Sequence, residues 1–359
     1  MASTTLQVLG PSAGGIRRHV ATLAEGLEAR GHAVTVAGPA GVMDGLREGA
    51  VAVPVGLGPS AVAAVRQLRP LVHQADVVHA HGLTAGWVAW AAGAGSKLVV
   101  TVHNLVLDEA AGPSAPVLRR LEGRLPGRAQ ETIVISEQMR ARFDPQGTDP
   151  HLHLIPPVAP TPVVTRDRAA VRTELGVPDG VPLIVLVGRL HPQKDIPTLL
   201  RAVPSIADDV RVAIVGEGPQ RDDLLEQIET GGLAGLVQLV GAKPDAANYF
   251  AAADVAVMCS IWEGFGLVVA EALHLARPVV ATDVGPVSTM VVDGETGFLV
   301  PPSDPPALAA AISAALADPD HAAELGRAGA KLVAPHFDTG ALIAKVEDVY
   351  DLVTKQSVR

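Results

Sequence analysis

The chain has almost no cysteine, few aromatic residues and no long apolar run. Its single cysteine, Cys259, among 359 residues excludes an internal disulfide framework and a four-thiolate zinc site, and suits a reducing compartment. Aromatic residues make up 3%, and no dense basic stripe accompanies them, so the stacking platforms and charged grooves of nucleic-acid binding are missing. The longest apolar stretch, around residues 83–95, is too short to span a bilayer. Residues 1–10 lack the basic start of a secretory signal and read as a strand. These absences lead to the expectation of a cytoplasmic protein, at most peripheral to the inner face of a membrane.

What is present is a globular composition, 48% hydrophobic and 18% charged, far from that of a disordered chain. The length suits two domains of roughly 150 residues, each large enough for its own core. The net charge of −10 is unevenly placed. Residues 1–160 hold 13 basic and 12 acidic side chains, whereas residues 161–359 hold 15 and 26. Eight of the twelve histidines fall in the near-neutral first part.

Short β-branched runs alternate with stretches of helical periodicity. Strands are expected at 6–10, 33–37, 77–80, 98–102, 132–135 and 151–155, with helices such as 16–30 and 117–125 between them. Pro156, Pro157, Pro160 and Pro162 then crowd into a stiff linker, the best domain boundary. The alternation resumes, with strands at 183–187, 210–215, 237–239, 255–258, 279–281 and 298–300 and helices including 196–207, 267–275, 306–317 and 321–333. A last helix is expected at 339–354. The reading is α/β: two doubly wound parallel sheets, in domains 1–157 and 158–335, followed by a C-terminal helical segment, 336–359. Such sheets bind ligands beyond the carboxyl ends of their strands. Two of them face to face would set those ends on one central cleft.

The loops after strands therefore carry the candidate chemistry. Gly10-Pro11-Ser12-Ala13-Gly14-Gly15 leads into a helix. Bare amides and a helix N-terminus favour a phosphate there, although a plain strand-to-helix turn reads equally well. Gly188-Arg189-Leu190-His191-Pro192-Gln193-Lys194-Asp195 places two cations five residues apart, suited to a diphosphate; the alternative is two solvated charges. The strongest signal is Ser260-Ile261-Trp262-Glu263-Gly264-Phe265-Gly266-Leu267-Val268-Val269-Ala270-Glu271. Gly264 and Gly266 keep the backbone bare, so amides of Leu267 and Val268 can meet a phosphate. Glu271, one turn into the helix, can accept from ribose hydroxyls. Gly216-Glu217-Gly218-Pro219 reads either as a turn beside the nucleotide or as a turn alone. His79 and His81 share a strand face, and His103 ends another strand. No third and fourth ligands at suitable spacing accompany them, so no metal site is assigned; His81 and His103 are expected to line the cleft. Cys259 is expected to be a small buried filler.

Together these segments resemble glycosyltransferase family 4, a retaining family of GT-B fold, over nearly the whole chain. The resemblance rests on Gly14-Gly15, Asp76-Val77-Val78-His79-Ala80-His81-Gly82, Thr101-Val102-His103, Ile135-Ser136-Glu137, Gly188-Arg189 with Lys194, and Val215-Gly216-Glu217-Gly218-Pro219. It is most specific in the Glu263-x7-Glu271 signature, followed by Pro278-Val279-Val280-Ala281-Thr282 and Asp293-Gly294-Glu295-Thr296-Gly297-Phe298-Leu299-Val300. It implies that Arg189 and Lys194 bind the donor diphosphate and stabilise the leaving group, that Glu271 binds ribose, and that Glu263 with the amides from Phe265 through Gly266 and Leu267 to Val268 holds the transferred sugar and β-phosphate. Gly15 would offer an amide from the first domain, His103 would sit close to the reacting centre, and the last helix would cross back to the first domain. Two departures stand out. Pro156-Pro157 replaces a frequent Asn-Gly, and Gly285-Pro286-Val287-Ser288-Thr289 replaces a frequent Gly-Gly-x-Pro-Glu.

The expected activity is glycosyl transfer with retained configuration from a nucleoside diphosphate sugar, uridine ahead of guanosine, to a small or lipid-linked acceptor hydroxyl. The resemblance implies no required metal or cofactor, since Arg189 and Lys194 take a metal's role on the phosphates. The alternatives are a nucleotide-sugar epimerase of the same fold and a binding protein without transfer activity. Arg17 and Arg18, with His81, are the acceptor-side candidates. An apolar stripe of Val117, Leu118, Leu121 and Leu125, flanked by Arg119, Arg120, Arg124 and Arg128, reads either as a solvated helix face or as a weak contact for an anionic membrane.

Overall fold

The computed structural model describes residues 2–11, 15–56, 58–106, 114–158, 161–206 and 209–356. By internal contacts the chain divides into two units, Met1–Pro160 with Asp338–Arg359, and Thr161–Phe337. The sequence boundary at 157/158 lies three residues before the structural one. Residues 336 and 337 belong to the second unit, so the C-terminal segment begins two residues later than the sequence suggests.

In the first unit seven parallel strands stand in the order β3-β2-β1-β4-β5-β6-β7. They are β1 (Thr4–Leu9), β2 (Ala33–Gly38), β3 (Val51–Ala52), β4 (Val77–His81), β5 (Leu98–Val102), β6 (Glu131–Val134) and β7 (Leu152–Leu154). β4 and β5 are buried along their whole length, as a sheet covered on both faces requires. The Gly15–Ala29 helix buries Leu23 and Leu27 against Val77 and Val99 of the sheet. Leu342, Ile343, Val346, Val349, Tyr350 and Val353 of the Thr339–Gln356 helix complete that same core. Gly26 marks the closeness of this packing: a Cβ there would lie 2.6 Å from the Ile343 side chain.

The second unit has six parallel strands in the order β10-β9-β8-β11-β12-β13. These are β8 (Leu183–Val187), β9 (Arg211–Val215), β10 (Val237–Gly241), β11 (Val255–Met258), β12 (Val279–Thr282) and β13 (Phe298–Val300). The helix expected over 196–207 is shorter. It spans Ile196–Ala202 and tightens into a 3-10 turn at Val203–Ser205, since Pro204 supplies no amide for a further α turn.

Strand order reverses between β1 and β4 in one sheet and between β8 and β11 in the other. Beyond the carboxyl ends of strands at such a reversal the loops diverge and leave room for a ligand. Each unit thus offers one site-bearing position; the candidate loops after β1, β4, β8 and β11 emerge there, while His103 and Gly216 follow the adjacent strands β5 and β9.

Candidate active site

In the second unit β8 ends at Val187, and the loop from Gly188 runs through a 3-10 turn at Pro192–Lys194. The His191 side chain caps this turn by accepting from the Gln193 amide at 3.3 Å. Asp195 then takes a left-handed conformation, φ 43°, rare for a residue with a Cβ. Its carboxylate is held by the Thr198 and Ser303 hydroxyls at 2.7 and 2.9 Å. The neighbouring loop, after β11, is fastened to this one. The Ile261 amide donates to the Gln193 carbonyl at 2.9 Å, and the Gln193 side chain donates to the Trp262 carbonyl at 3.0 Å. From beneath, the Cys259 thiol donates to the Lys194 carbonyl at 3.1 Å. Cys259 is buried, and burial pushes its thiol up to about 12, with the Asp195 carboxylate adding to the effect. It is a packed, inert group.

Lys194 and Glu263 meet across these loops in an ion pair, and the Ser260 hydroxyl donates to the same carboxylate oxygen at 2.7 Å. Arg189 is exposed beside them and makes no hydrogen bond or ion pair with the described residues. With Lys194 it lowers the affinity of His191 for a proton, after the larger effect of burial. Gly266, at φ 87°, caps the Leu267–His274 helix in a left-handed conformation, and a Cβ there would press on Val287 at 3.2 Å. Leu267 and Val268 open the helix half-buried, with their amides among those lacking an intrahelical acceptor. Phe265 is buried edge-on against His336, ring centroids 5.0 Å apart. Glu271 is 5% exposed on the inner face of the helix. Two cations, a helix N-terminus and two carboxylates therefore share one switch point, a combination suited to holding a diphosphate and polar groups attached to it.

Gly216 answers to backbone packing. At φ 156°, a Cβ there would stand 1.8 Å from the Gly188 carbonyl oxygen, and one at Gly218 would stand 2.3 Å from that of Leu190. Of the two readings of this segment, the structure supplies a reason for the turn: these glycines let the β9 loop lie against the β8 loop.

In the first unit Gly15 opens its helix, while Ser12, Ala13 and Gly14 lie outside the described residues. Arg17 is engaged with the Asp44 carbonyl, and Arg18 is exposed. The histidines require a correction. Sequence spacing offers no third ligand beside His81 and His103, yet the helix brings His19 to them, and one ring nitrogen from each lies within 4.8 Å of the others. All three are buried, as is His79. Burial pulls His19 down to about 4. Burial followed by the neighbouring His19 takes His79 to about 3, and His81 and His103 also fall well below their ordinary value. The four rings are therefore neutral near pH 7. Glu122, which the sequence did not single out, ties down the chain after His103. Its buried carboxylate accepts from the Val106 amide at 2.6 Å and from Arg142 at 2.8 Å.

The expected apolar stripe also differs. The helix spans Ala115–Arg124, Leu125 is buried, Leu118 and Leu121 are half-buried, and Val117 is 64% exposed. Arg128 lies over the Trp90 ring, 5.1 Å from its centroid. Among the described residues no helix is long and apolar enough to cross a membrane.

The comparisons agree on the class. Residues 14–157 match the model for a glycosyl transferase 4-like domain, and residues 167–332 match that for glycosyl transferases group 1. The D-inositol 3-phosphate glycosyltransferase of Xylanimonas cellulosilytica is 30% identical over 305 residues, 78% of this chain and 73% of that protein. Its counterpart in Thermobispora bispora is 32% identical over 309 residues, 77% and 70%. Among solved structures, sucrose-phosphate synthase of Thermosynechococcus elongatus has TM-score 0.85 at 24% identity, covering 98% of this chain and all of that one. HepE of Anabaena, in complex with UDP and glucose, has TM-score 0.85 at 21% identity, covering 97% and 99%. The protein is a glycosyltransferase of GT-B fold. It belongs to glycosyltransferase family 4.

Proposed function

We propose that the protein transfers a sugar from a nucleoside diphosphate sugar to an acceptor hydroxyl with retention of anomeric configuration. The observation that carries this reading is the Lys194–Glu263 pair at the β8/β11 switch point, beside exposed Arg189 and the Leu267–His274 helix. In this reading Arg189 and Lys194 stabilise the charge that grows on the departing diphosphate, an electrostatic role that needs no metal ion. The amides of Leu267 and Val268 face the β-phosphate, Glu263 faces the sugar, and Glu271 accepts from the ribose hydroxyls. The acceptor oxygen attacks on the face the diphosphate leaves, and a phosphate oxygen takes its proton. His103 is the histidine assigned to the reacting centre in this reading.

Uridine diphosphate is the first donor base to test, since the structurally similar HepE is complexed with UDP and with UDP-glucose. The acceptor reading is a small anionic polyol, supported by the relatives that act on D-inositol 3-phosphate. The test is a panel of uridine and guanosine diphosphate sugars, scored for thermal stabilisation and for slow release of nucleoside diphosphate without acceptor. Stabilisation by a donor with no release, even when acceptors are added, would make the protein a binder. Interconversion of the sugar without release of it would make it an epimerase.

A further inference from the structure

Five hydrogen bonds link buried side chains of the first unit into one chain. His103 Nε2 lies 3.1 Å from His81 Nδ1, and His81 Nε2 lies 2.9 Å from Gln7 Oε1. Gln7 Nε2 donates to the Tyr350 hydroxyl at 2.9 Å. That hydroxyl is 2.8 Å from His79 Nδ1, and His79 Nε2 is 2.6 Å from the Thr101 hydroxyl. Gln7, His79, His81, Thr101, His103 and Tyr350 are all at most 4% exposed, so water does not compete for these groups.

Gln7 gives this chain one direction. A carboxamide oxygen only accepts, so His81 carries its hydrogen on Nε2. A neutral imidazole has one such hydrogen, so His81 Nδ1 is bare and must accept from His103 Nε2–H. His103 is then bare at Nδ1. On the other side the carboxamide nitrogen only donates. Tyr350 therefore accepts from it and passes its own hydrogen to His79 Nδ1, and His79 donates from Nε2 to Thr101. A reversed ring at His81 or His103 would set two lone pairs against each other in a dry interior.

We propose that Gln7 and Tyr350 are positioning residues that hold His103 in its Nε2–H form, leaving Nδ1 as a hydrogen-bond acceptor for a hydroxyl of the donor sugar or the acceptor. The inference rests on the reading that His103 serves the reacting centre. The orienting group is a hydroxyl on the Thr339–Gln356 helix, 343 residues from its glutamine partner. Packing of that helix and the protonation form of His103 are thereby coupled.

The test combines long-range proton–nitrogen correlation spectra of the imidazole rings with steady-state kinetics. Both use the full chain, as wild type, Gln7→Met, Tyr350→Phe and His103→Ala. The wild-type spectrum is expected to show His103 protonated at Nε2 only. Gln7→Met and Tyr350→Phe should give a mixture of both forms at His103 and a fall of about tenfold in kcat, within the range of lost proton-handling groups, with donor KM unchanged. Tyr350→Phe keeps the ring and the helix packing, so it reports even if Gln7→Met does not fold. A wild-type His103 protonated at Nδ1, or a form unchanged in both variants, overturns the proposal, as does a mixed form with unchanged kcat. If His103→Ala retains full turnover, the reading of His103 at the reacting centre falls. The spectra then decide the positioning claim by themselves.

Discussion

Lys194 and Glu263 stand 69 residues apart in the chain and are joined as an ion pair, with the lysine side chain 15% and the glutamate 8% exposed. Arg189, five residues before Lys194, is exposed instead. The two cations therefore separate in their effects. Lys194→Ala leaves a largely buried carboxylate with the Ser260 hydroxyl as its remaining partner among the described residues, at a cost of about 1–3 kcal/mol. Arg189→Ala should change stability by less than about 0.5 kcal/mol. Each should lower turnover about a hundredfold. Urea denaturation alongside turnover assays checks both. Near-parental turnover in either variant would remove that residue from the diphosphate role.

Glu271 is buried one turn into the helix that should hold the donor. Glu271→Ala is expected to weaken donor binding by about 1.5–3 kcal/mol, the worth of charge-assisted hydrogen bonds to ribose. Calorimetry with the donor that stabilises the wild type best reads this directly. Equal affinity in the two proteins would assign Glu271 to packing.

The buried histidines make stability depend on pH. Each has a folded value below the unfolded one near 6.5, with His19 at about 4 and His79 at about 3. Between those values the unfolded chain binds more protons, so stability is complete above about pH 6.5 and declines as pH falls. His19 alone should account for roughly 2 kcal/mol between pH 7.5 and 5. Urea midpoints measured across that interval should drop steadily. A flat profile would mean that the rings are solvated or charged in the folded protein.

Turnover is expected to persist in excess EDTA. His19, His81 and His103 converge closely enough to be compared with a metal site. However, His81 and His103 face each other through an N–H···N bond of 3.1 Å, and Gln7 fixes His81 from behind. Activity lost to the chelator and restored by one divalent ion would assign the three rings to that ion.

Arg120 and Arg124 are exposed on the Ala115–Arg124 helix, near exposed Val117, and Trp90, under Arg128, is 37% exposed. Weak cosedimentation with anionic liposomes is expected, at about 1 kcal/mol per basic residue near the surface, fading as salt screens exposed charge. Equal, negligible sedimentation with anionic and neutral liposomes at low salt would leave a solvated face.

The strands were readable because fully buried parallel strands are short β-branched runs, as in Leu98–Val102 and Val255–Met258. The two-residue strand Val51–Ala52 carries too few residues for a pattern, and Pro70 interrupts the periodicity of the Ser60–Gln74 helix. At the site, residue types and loop positions were legible, while pairings were not. Lys194 finds Glu263 because β8 lies beside β11, and Gln7 finds Tyr350 through the return of the last helix. His19 looked like one more helical residue, because only the placement of that helix against the sheet brings it to His81. Gly216 read equally as a turn alone or a turn beside the nucleotide, because a glycine demanded by a neighbouring backbone and one demanded by a phosphate leave the same trace in a sequence; the packing against Gly188 accounts for the glycine and leaves both readings open.

The first unit's core includes Leu342, Val346, Tyr350 and Val353, which are synthesised after the whole of the second unit. Domains emerging from a ribosome ordinarily fold in order from the N-terminus. Here that order is inverted: the continuous second unit has its whole sequence available first, and the first unit waits for the Thr339–Gln356 helix with Leu23, Leu27 and Val77 uncovered. Chains cut short near residue 338 should therefore lose the first unit, although most of its residues lie far upstream of the cut.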